Sequence, residues 1–320
     1  MEKECIHCGA CTLQCEFLKK YQMDLGDDRR VEELAYHCFL CGKCKTVCPV
    51  GLDGKEIFLK KRQELVVANK GKIVVDGYEM LIKEKQNYIF RNYRNLTSGS
   101  VLFPGCNFPS YYPQTTKKLS TILKQEAEIG TVYDCCGKPI AELGLVQQEN
   151  RIIERMNREF QGAGVTEIIV LCPNCYCFLN GRLDIPVTSI YEVLTRMGIG
   201  KKIEAEEVNI FPPCPDRENR LWIKHMSSYL PTDIYVIDEI QCCGLGGCAR
   251  GKEPDVSFGF TEKLRRIGYS SVYTYCASCA GKFARDRMQG IHHVLAEVLE
   301  TYEELDVAKS MVNRAKSKFW

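Results

Sequence analysis

Cys5, Cys8, Cys11 and Cys15 form a C-x2-C-x2-C-x3-C run, and Cys38, Cys41, Cys44 and Cys48 repeat it, followed by Pro49. Three thiolates at every third position let a short loop wrap one corner of a cubane and ligate three irons. The fourth, beyond a longer gap, points away and serves the neighbouring cluster. The spacing therefore predicts two [4Fe–4S] cubane clusters, one on Cys5, Cys8, Cys11 and Cys48, the other on Cys38, Cys41, Cys44 and Cys15. Structural zinc takes two separated C-x2-C knuckles per tetrahedral site, which two triplets with two outlying cysteines fit poorly. His7 and His37 lie beside these ligands, but the cysteines already suffice, so the imidazoles are read as hydrogen-bonding neighbours of the clusters.

The elements that present these runs are expected to be helical. Phe17, Leu18, Tyr21 and Leu25, then Val31, Leu34 and Ala35 after the Asp27–Asp28 break, have the spacing of short helices rather than of a hairpin. Glu56 to Ala68 reads as a further helix in a connector rich in charge and tyrosine.

Ten more cysteines follow a second pattern. Cys106, Cys135–Cys136–Gly137 and Cys172/Cys175 are matched by Cys214, Cys242–Cys243–Gly244 and Cys276/Cys279, at offsets of 108, 107 and 104 residues. A unit of about 105 residues is thus duplicated. Each cysteine element ends a short run of β-branched or aromatic residues, and helix-like segments separate the runs. Glu142 to Phe160 is one, with Leu145, Ile152, Ile153, Met156 and Phe160 at helical spacing. Strand–helix alternation predicts a parallel sheet, and ligand sites in such sheets lie beyond the carboxyl ends of the strands. A five-cysteine site is therefore expected in each half. A vicinal disulfide, a thioredoxin-like pair or a zinc knuckle would each explain one part of the pattern. Two matching sets of five, downstream of the first two runs, favour metal ligation. The glycine after each cysteine pair is expected to give a cluster close access to the backbone.

The pattern Cys…Cys-Cys-Gly…Cys-x-x-Cys, present twice, resembles the CCG domain of heterodisulfide reductases. A ferredoxin module fused to two such domains looks like the catalytic subunit of the membrane-linked methanogen enzyme. It is also similar to the iron–sulfur subunits of glycolate oxidase, anaerobic glycerol-3-phosphate dehydrogenase and lactate-utilisation complexes. The resemblance implies that Cys106, Cys135, Cys136, Cys172 and Cys175 bind one noncubane [4Fe–4S] cluster, and Cys214, Cys242, Cys243, Cys276 and Cys279 another. These ten would then be catalytic as cluster ligands at a disulfide site. The implied function is an oxidoreductase acting on a sulfur group, passing electrons through two cubanes to paired noncubane clusters that reduce a disulfide or oxidise thiols. The alternative is a non-catalytic electron-relay subunit between a flavoprotein dehydrogenase and a quinone or cytochrome partner. Implied partners are other redox subunits (a flavoprotein, a hydrogenase or a membrane cytochrome b) and a small disulfide or thiol. This sequence departs from the family in its shorter spacings before each cysteine pair and in the extra Cys177 and Cys248. Cys177 is expected as a small buried residue of a helix, and Cys248 in a flexible Gly-rich loop.

The expected fold is multidomain, α and α/β: an N-terminal α-helical ferredoxin-like module, then two duplicated α/β CCG domains with parallel strands. Its divisions are 1–62 for the module, 63–98 for a helical connector, 99–205 and 206–300 for the two CCG domains, and 301–320 for a helical tail. His292 to Trp320 reads as an amphipathic helix with Val294, Leu295, Val298, Leu299 and Tyr302 on one side. A net charge of +2 argues against nucleic-acid binding and against a polybasic membrane surface. No apolar window is long enough to span a bilayer, and the first residues do not read as a signal peptide. With twenty cysteines, this favours a reducing cytoplasmic setting, reaching the inner membrane face only through a partner. Gly244–Gly247 follows a cysteine element and is not a dinucleotide fingerprint.

Overall fold

Asp27 accepts a hydrogen bond from the Arg30 backbone N–H at 3.1 Å and so starts the helix Asp28–Glu33, after the break read from the sequence. In this computed structural model, which describes residues 4–320, the helix Glu16–Lys20 buries Phe17 and Leu18. Gly54–Ala68, capped by Asp53, buries Phe58, Arg62 and Val66 at successive turns. The expected helices are present at both places. The first three residues of the expected 1–62 module lie outside the described residues.

The chain divides into two compact units, each discontinuous in sequence. One joins the residues up to Lys83 with Pro139–Glu149 and Asp238–Gly268. It is built of helices and turns around Cys11, Cys15, Phe17, Leu18, Met23, Leu25, Val31, Leu40, Cys44 and Phe58. A buried arginine explains why distant segments join it. Arg62, 0% exposed, donates from Nε to the Ala35 carbonyl at 2.8 Å and from Nη2 to Cys38 O at 2.7 Å. Its Nη1 reaches Glu142 O at 2.6 Å and Gly247 O at 2.8 Å. A second tie is Glu253, whose buried carboxylate accepts from Lys20 Nζ at 2.7 Å and Tyr21 OH at 2.7 Å, and lies 2.5 Å from His37 Nδ1.

The other unit comprises Glu84–Lys138, Asn150–Ile237 and Tyr269–Trp320 and holds both sheets. The first sheet contains β1 (Asn92–Asn95), β2 (Gly99–Phe103), β3 (Gly130–Tyr133), β4 (Val165–Val170) and β5 (Val187–Ser189), in the order β1-β3-β2-β4-β5. The second contains β6 (Asn209–Phe211), β7 (Tyr235–Val236), β8 (Val272–Thr274) and β9 (Ile291–His293), in the order β7-β6-β8-β9. Without β1, the two orders are the same, so the sequence duplication is a topological duplication. All pairings are parallel except β1 against β3. Val101, Leu102 and Phe103 of the central strand β2 are all 0% exposed, as expected for a strand covered on both faces.

Three expectations need correction. Part of the segment read as a helical connector is β1, whose Asn-Tyr-Arg-Asn sequence carries no apolar alternation because it is a half-exposed edge. His292 to Trp320 is not one helix: β9 ends at His293, a helix spans only Val294–Val298, and a second covers Ser310–Ser317. Glu300 and Tyr302 have φ of 52° and 43°, which ends the first helix, and Tyr302 is exposed rather than on a buried side. The last residues nevertheless pack: Asn92 Nδ2 donates to the Trp320 carbonyl at 2.7 Å, and the Trp320 ring meets Tyr133 edge-on. Cys177 is exposed, because Cys175, Phe178 and Leu179 occupy the buried face of its short helix. Among the described residues no helix is long and apolar enough to cross a membrane.

Candidate metal centre

All twenty cysteines are free thiols. In the helical unit, Cys15, Cys38, Cys41 and Cys44 come together: the charge of each opposes ionisation of its neighbours. Burial is the larger cause and pushes Cys15 up to about 12, with Cys38 and Cys44 also raised. Donors offset this in part. Gln241, 6% exposed, aims Nε2 at Cys15 Sγ (3.2 Å) and Cys41 Sγ (3.6 Å), and the Leu40 N–H reaches Cys38 Sγ at 3.4 Å. In the other expected set, Cys11 is buried and its charge acts on Cys5, which burial also raises. Cys48 is half-buried, with Sγ accepting from Leu52 N–H at 3.2 Å, and Cys8 is exposed. His7 Nδ1 sits 3.0 Å from Asp24, and His37 is engaged by Glu253, so both imidazoles are oriented by carboxylates.

In the sheet-bearing unit, Cys106, Cys135–Cys136 and Cys172 follow β2, β3 and β4, three adjacent parallel strands, at their carboxyl ends. Their sulfurs form a continuous run of thiol–thiol hydrogen bonds: Cys106 to Cys135, Cys135 to Cys136, Cys136 to Cys175, and Cys175 to Cys172. The five residues expected from the first repeat are therefore brought together. The run continues into the second repeat, from Cys172 to Cys276 and on to Cys279. Asn174 Nδ2 donates to Cys276 Sγ at 3.4 Å, and Asn107 Nδ2 to Ser278 Oγ at 2.7 Å, which joins the two C-x2-C helices within this unit. Cys172 and Cys276 are each the N-cap of the helix that follows. A hydrogen bond with Cys175 lowers Cys172, but the bond with Cys276 and burial outweigh it and hold Cys172 well above the ordinary cysteine range. Hydrogen bonds from two neighbouring thiols hold Cys136 and Cys276 well below the ordinary cysteine range despite burial. Cys214 follows β6 and is half-buried, with Arg217 Nη2 3.9 Å from its sulfur. Cys242 and Cys243, the remaining members of the second set, belong to the helical unit, where both are buried.

Cationic residues stand beside the first set. Lys85 is buried with Nζ 2.9 Å from Glu84. Burial opposes its charge, but the charges of Cys106 and Cys135 outweigh it and raise the lysine's pKa. Arg314 binds Glu84 at 2.6 Å and Asn107 Oδ1 at 3.0 Å, and the charge of Cys106 raises it in the same way. Two cations against one carboxylate leave positive charge next to the thiolates. A group of closely spaced, largely buried sulfurs flanked by cations fits a bound iron–sulfur cluster: thiolates are the metal ligands, and their buried charge needs compensation.

The glycines of the Cys-Cys-Gly elements have a packing role that the sequence did not point to. Gly137 (φ 91°) and Gly244 (φ 87°) occupy the left-handed region. A Cβ at Gly137 would come within 3.1 Å of Ile152, and one at Gly244 within 2.6 Å of Ser257, so each glycine lets its turn pack against a helix. Cys248, with φ of 54°, sits at a left-handed kink within Gly246–Gly251. Its carbonyl accepts from Tyr78 OH at 3.1 Å, and its thiol lies 3.8 Å from Pro139 O. Gln241, Arg62, Glu253, Lys85 and Arg314 were not singled out from the sequence. Only the position of Gln241 beside Cys242 could have marked one of them.

Residues 2–52 match the 4Fe-4S dicluster domain family, and residues 100–180 match the cysteine-rich CCG domain family. The chain thus belongs to the class of iron–sulfur proteins that join these two domains. Over most of its length it is similar to iron–sulfur subunits of heterodisulfide reductases and of a fumarate reductase (CoM/CoB). A subunit of the fumarate reductase (CoM/CoB) of Methanothermobacter marburgensis is 24% identical over 96% of this chain and 72% of its own length. A subunit of the dihydromethanophenazine:CoB–CoM heterodisulfide reductase of Methanosarcina mazei is 22% identical over 83% of this chain and 76% of its own. An uncharacterized iron-sulfur protein of Methanocaldococcus jannaschii is 24% identical over 86% of this chain, which spans 66% of that relative. Among solved structures, a glutamate racemase isoform of Bacillus anthracis aligns with a TM-score of 0.34 at 12% identity, over 65% of this chain and 80% of its own.

Proposed function

We propose that this chain is the disulfide-active subunit of an iron–sulfur oxidoreductase, cleaving a small disulfide to two thiols or running the reverse oxidation. The observation that carries this reading is the unbroken run of sulfurs from Cys106 to Cys279, which draws on both repeats. In this reading Cys5, Cys8, Cys11 and Cys48 hold one [4Fe–4S] cubane, and Cys15, Cys38, Cys41 and Cys44 hold a second. Cys106, Cys135, Cys136, Cys172 and Cys175 hold a noncubane cluster, and Cys214, Cys242, Cys243, Cys276 and Cys279 another. When bound, the clusters supply one-electron carriers, and a disulfide needs two electrons and two protons to yield two thiols.

The chain's own residues do the rest. The cations Lys85 and Arg314 favour the thiolate form of Cys106, and Lys85 that of Cys135. The buried strand ends keep water from the sulfurs. Electrons are delivered by a separate redox subunit such as a flavoprotein, hydrogenase or membrane cytochrome b, in a cytoplasmic setting. The relatives' names, which are those of reductase subunits, support this arrangement.

Anaerobic EPR of the purified protein, titrated with cystine, oxidised glutathione and the mixed disulfide of coenzymes M and B, tests the proposal. A disulfide-dependent paramagnetic signal is expected with at least one. No change with any of them overturns it and leaves the electron-relay reading.

A further inference from the structure

One side chain in the helical unit touches the sulfurs of one cysteine set while its own backbone leads directly into another. Gln241 Nε2 donates to Cys15 Sγ at 3.2 Å and lies 3.6 Å from Cys41 Sγ. Its Oε1 accepts from the Glu16 backbone N–H at 2.9 Å, which fixes the orientation of the amide: oxygen to the backbone, nitrogen to the sulfurs. The residue is buried, so the contact is made in a dry setting where hydrogen bonds are electrostatically stronger. The next residue is Cys242, whose α-carbon is about 3.8 Å along the chain. Cys242 Sγ in turn accepts from the Gly244 N–H at 3.2 Å.

We propose that Gln241 is a positioning residue for electron transfer, one that holds the Cys15–Cys38–Cys41–Cys44 group at a raised reduction potential and ties it, through a hydrogen bond and one peptide link, to Cys242. The inference rests on the reading that these four cysteines hold a cubane. The physics is that reduction adds a negative charge shared by the sulfur ligands, and an N–H donor stabilises the more negative state preferentially; hydrogen bonds to sulfur are among the controls of cluster potential. The step concerned is a one-electron transfer, with no bond made or broken. Its electron comes from the separate redox subunit, and Cys242–Cys243 marks the side of the chain that receives it.

The test is a redox titration of the anaerobically reconstituted full-length chain by EPR, in wild type, Gln241→Leu and Gln241→Glu. Leucine removes the donor at similar volume, and glutamate places an acceptor and negative charge against the same sulfurs. Leucine is expected to lower the reduction equilibrium constant of one cubane signal on the order of tenfold, equivalent to about 59 mV for one electron, and glutamate further, while the other cubane signal stays in place. Unchanged midpoints in both variants overturn the inference. So does loss of that cubane's iron from both, since Gln241 would then hold the ligand set together rather than tune it. If the wild type itself lacks two cubane signals, the reading of the cysteines fails instead, so the two failures are distinct.

Discussion

Replacing Cys136 with alanine should remove one cluster's iron, lowering iron from about sixteen to about twelve atoms per chain, and abolish any disulfide-dependent EPR signal. Cys136 stands at the centre of the first sulfur run, hydrogen-bonded to Cys135 on one side and Cys175 on the other, and these two bonds depress its pKa. The substitution deletes a single sulfur from a buried site, so far-UV circular dichroism should be unchanged. The matched control is Cys177→Ala, two residues beyond Cys175 but exposed and outside the sulfur run, which should retain wild-type iron. Equal iron in the two variants would contradict the ligand role of the first set.

Arg62→Met should destabilise the helical unit by about 4 kcal/mol. The side chain is wholly buried, and its guanidinium serves the carbonyls of Ala35, Cys38, Glu142 and Gly247. Methionine fills much of the space but removes the arginine donor from four carbonyls, at roughly 1 kcal/mol each. The Arg62–Tyr36 cation–π contact at 5.2 Å is lost as well. A loss of that size is a large share of the stability of an ordinary domain. Arg62→Lys should recover only part of it, because one ammonium cannot present donors in the directions of the planar fork. Anaerobic denaturant titration of both variants measures the loss; a change below about 1 kcal/mol in Arg62→Met would show that the carbonyls find other partners.

The cysteine runs and the duplication were legible because both are carried by residue type and spacing. Cysteines at strand ends could be placed by topology alone, and the helices around Phe17, Val31 and Phe58 announced themselves through apolar periodicity. What could not be read depends on partners far away in the chain. Arg62 is one charged residue on a helix until Glu142 and Gly247, 80 and 185 positions on, supply its acceptors. Lys85 and Arg314 lie 229 residues apart and meet only in the folded unit, where both bind Glu84. The C-terminal helix failed because periodicity does not reveal a reversal of φ at Glu300 and Tyr302. Cys177 lies on a helix too short for the sequence to show which face points inward.

The central claim is that four iron–sulfur clusters occupy the eighteen cysteines other than Cys177 and Cys248. Anaerobic quantification of iron and acid-labile sulfide on the purified wild-type chain tests it most directly. The account predicts about sixteen irons per chain, with EPR features of two kinds; about eight irons, all in cubanes, would confine the clusters to the first fifty residues and contradict it.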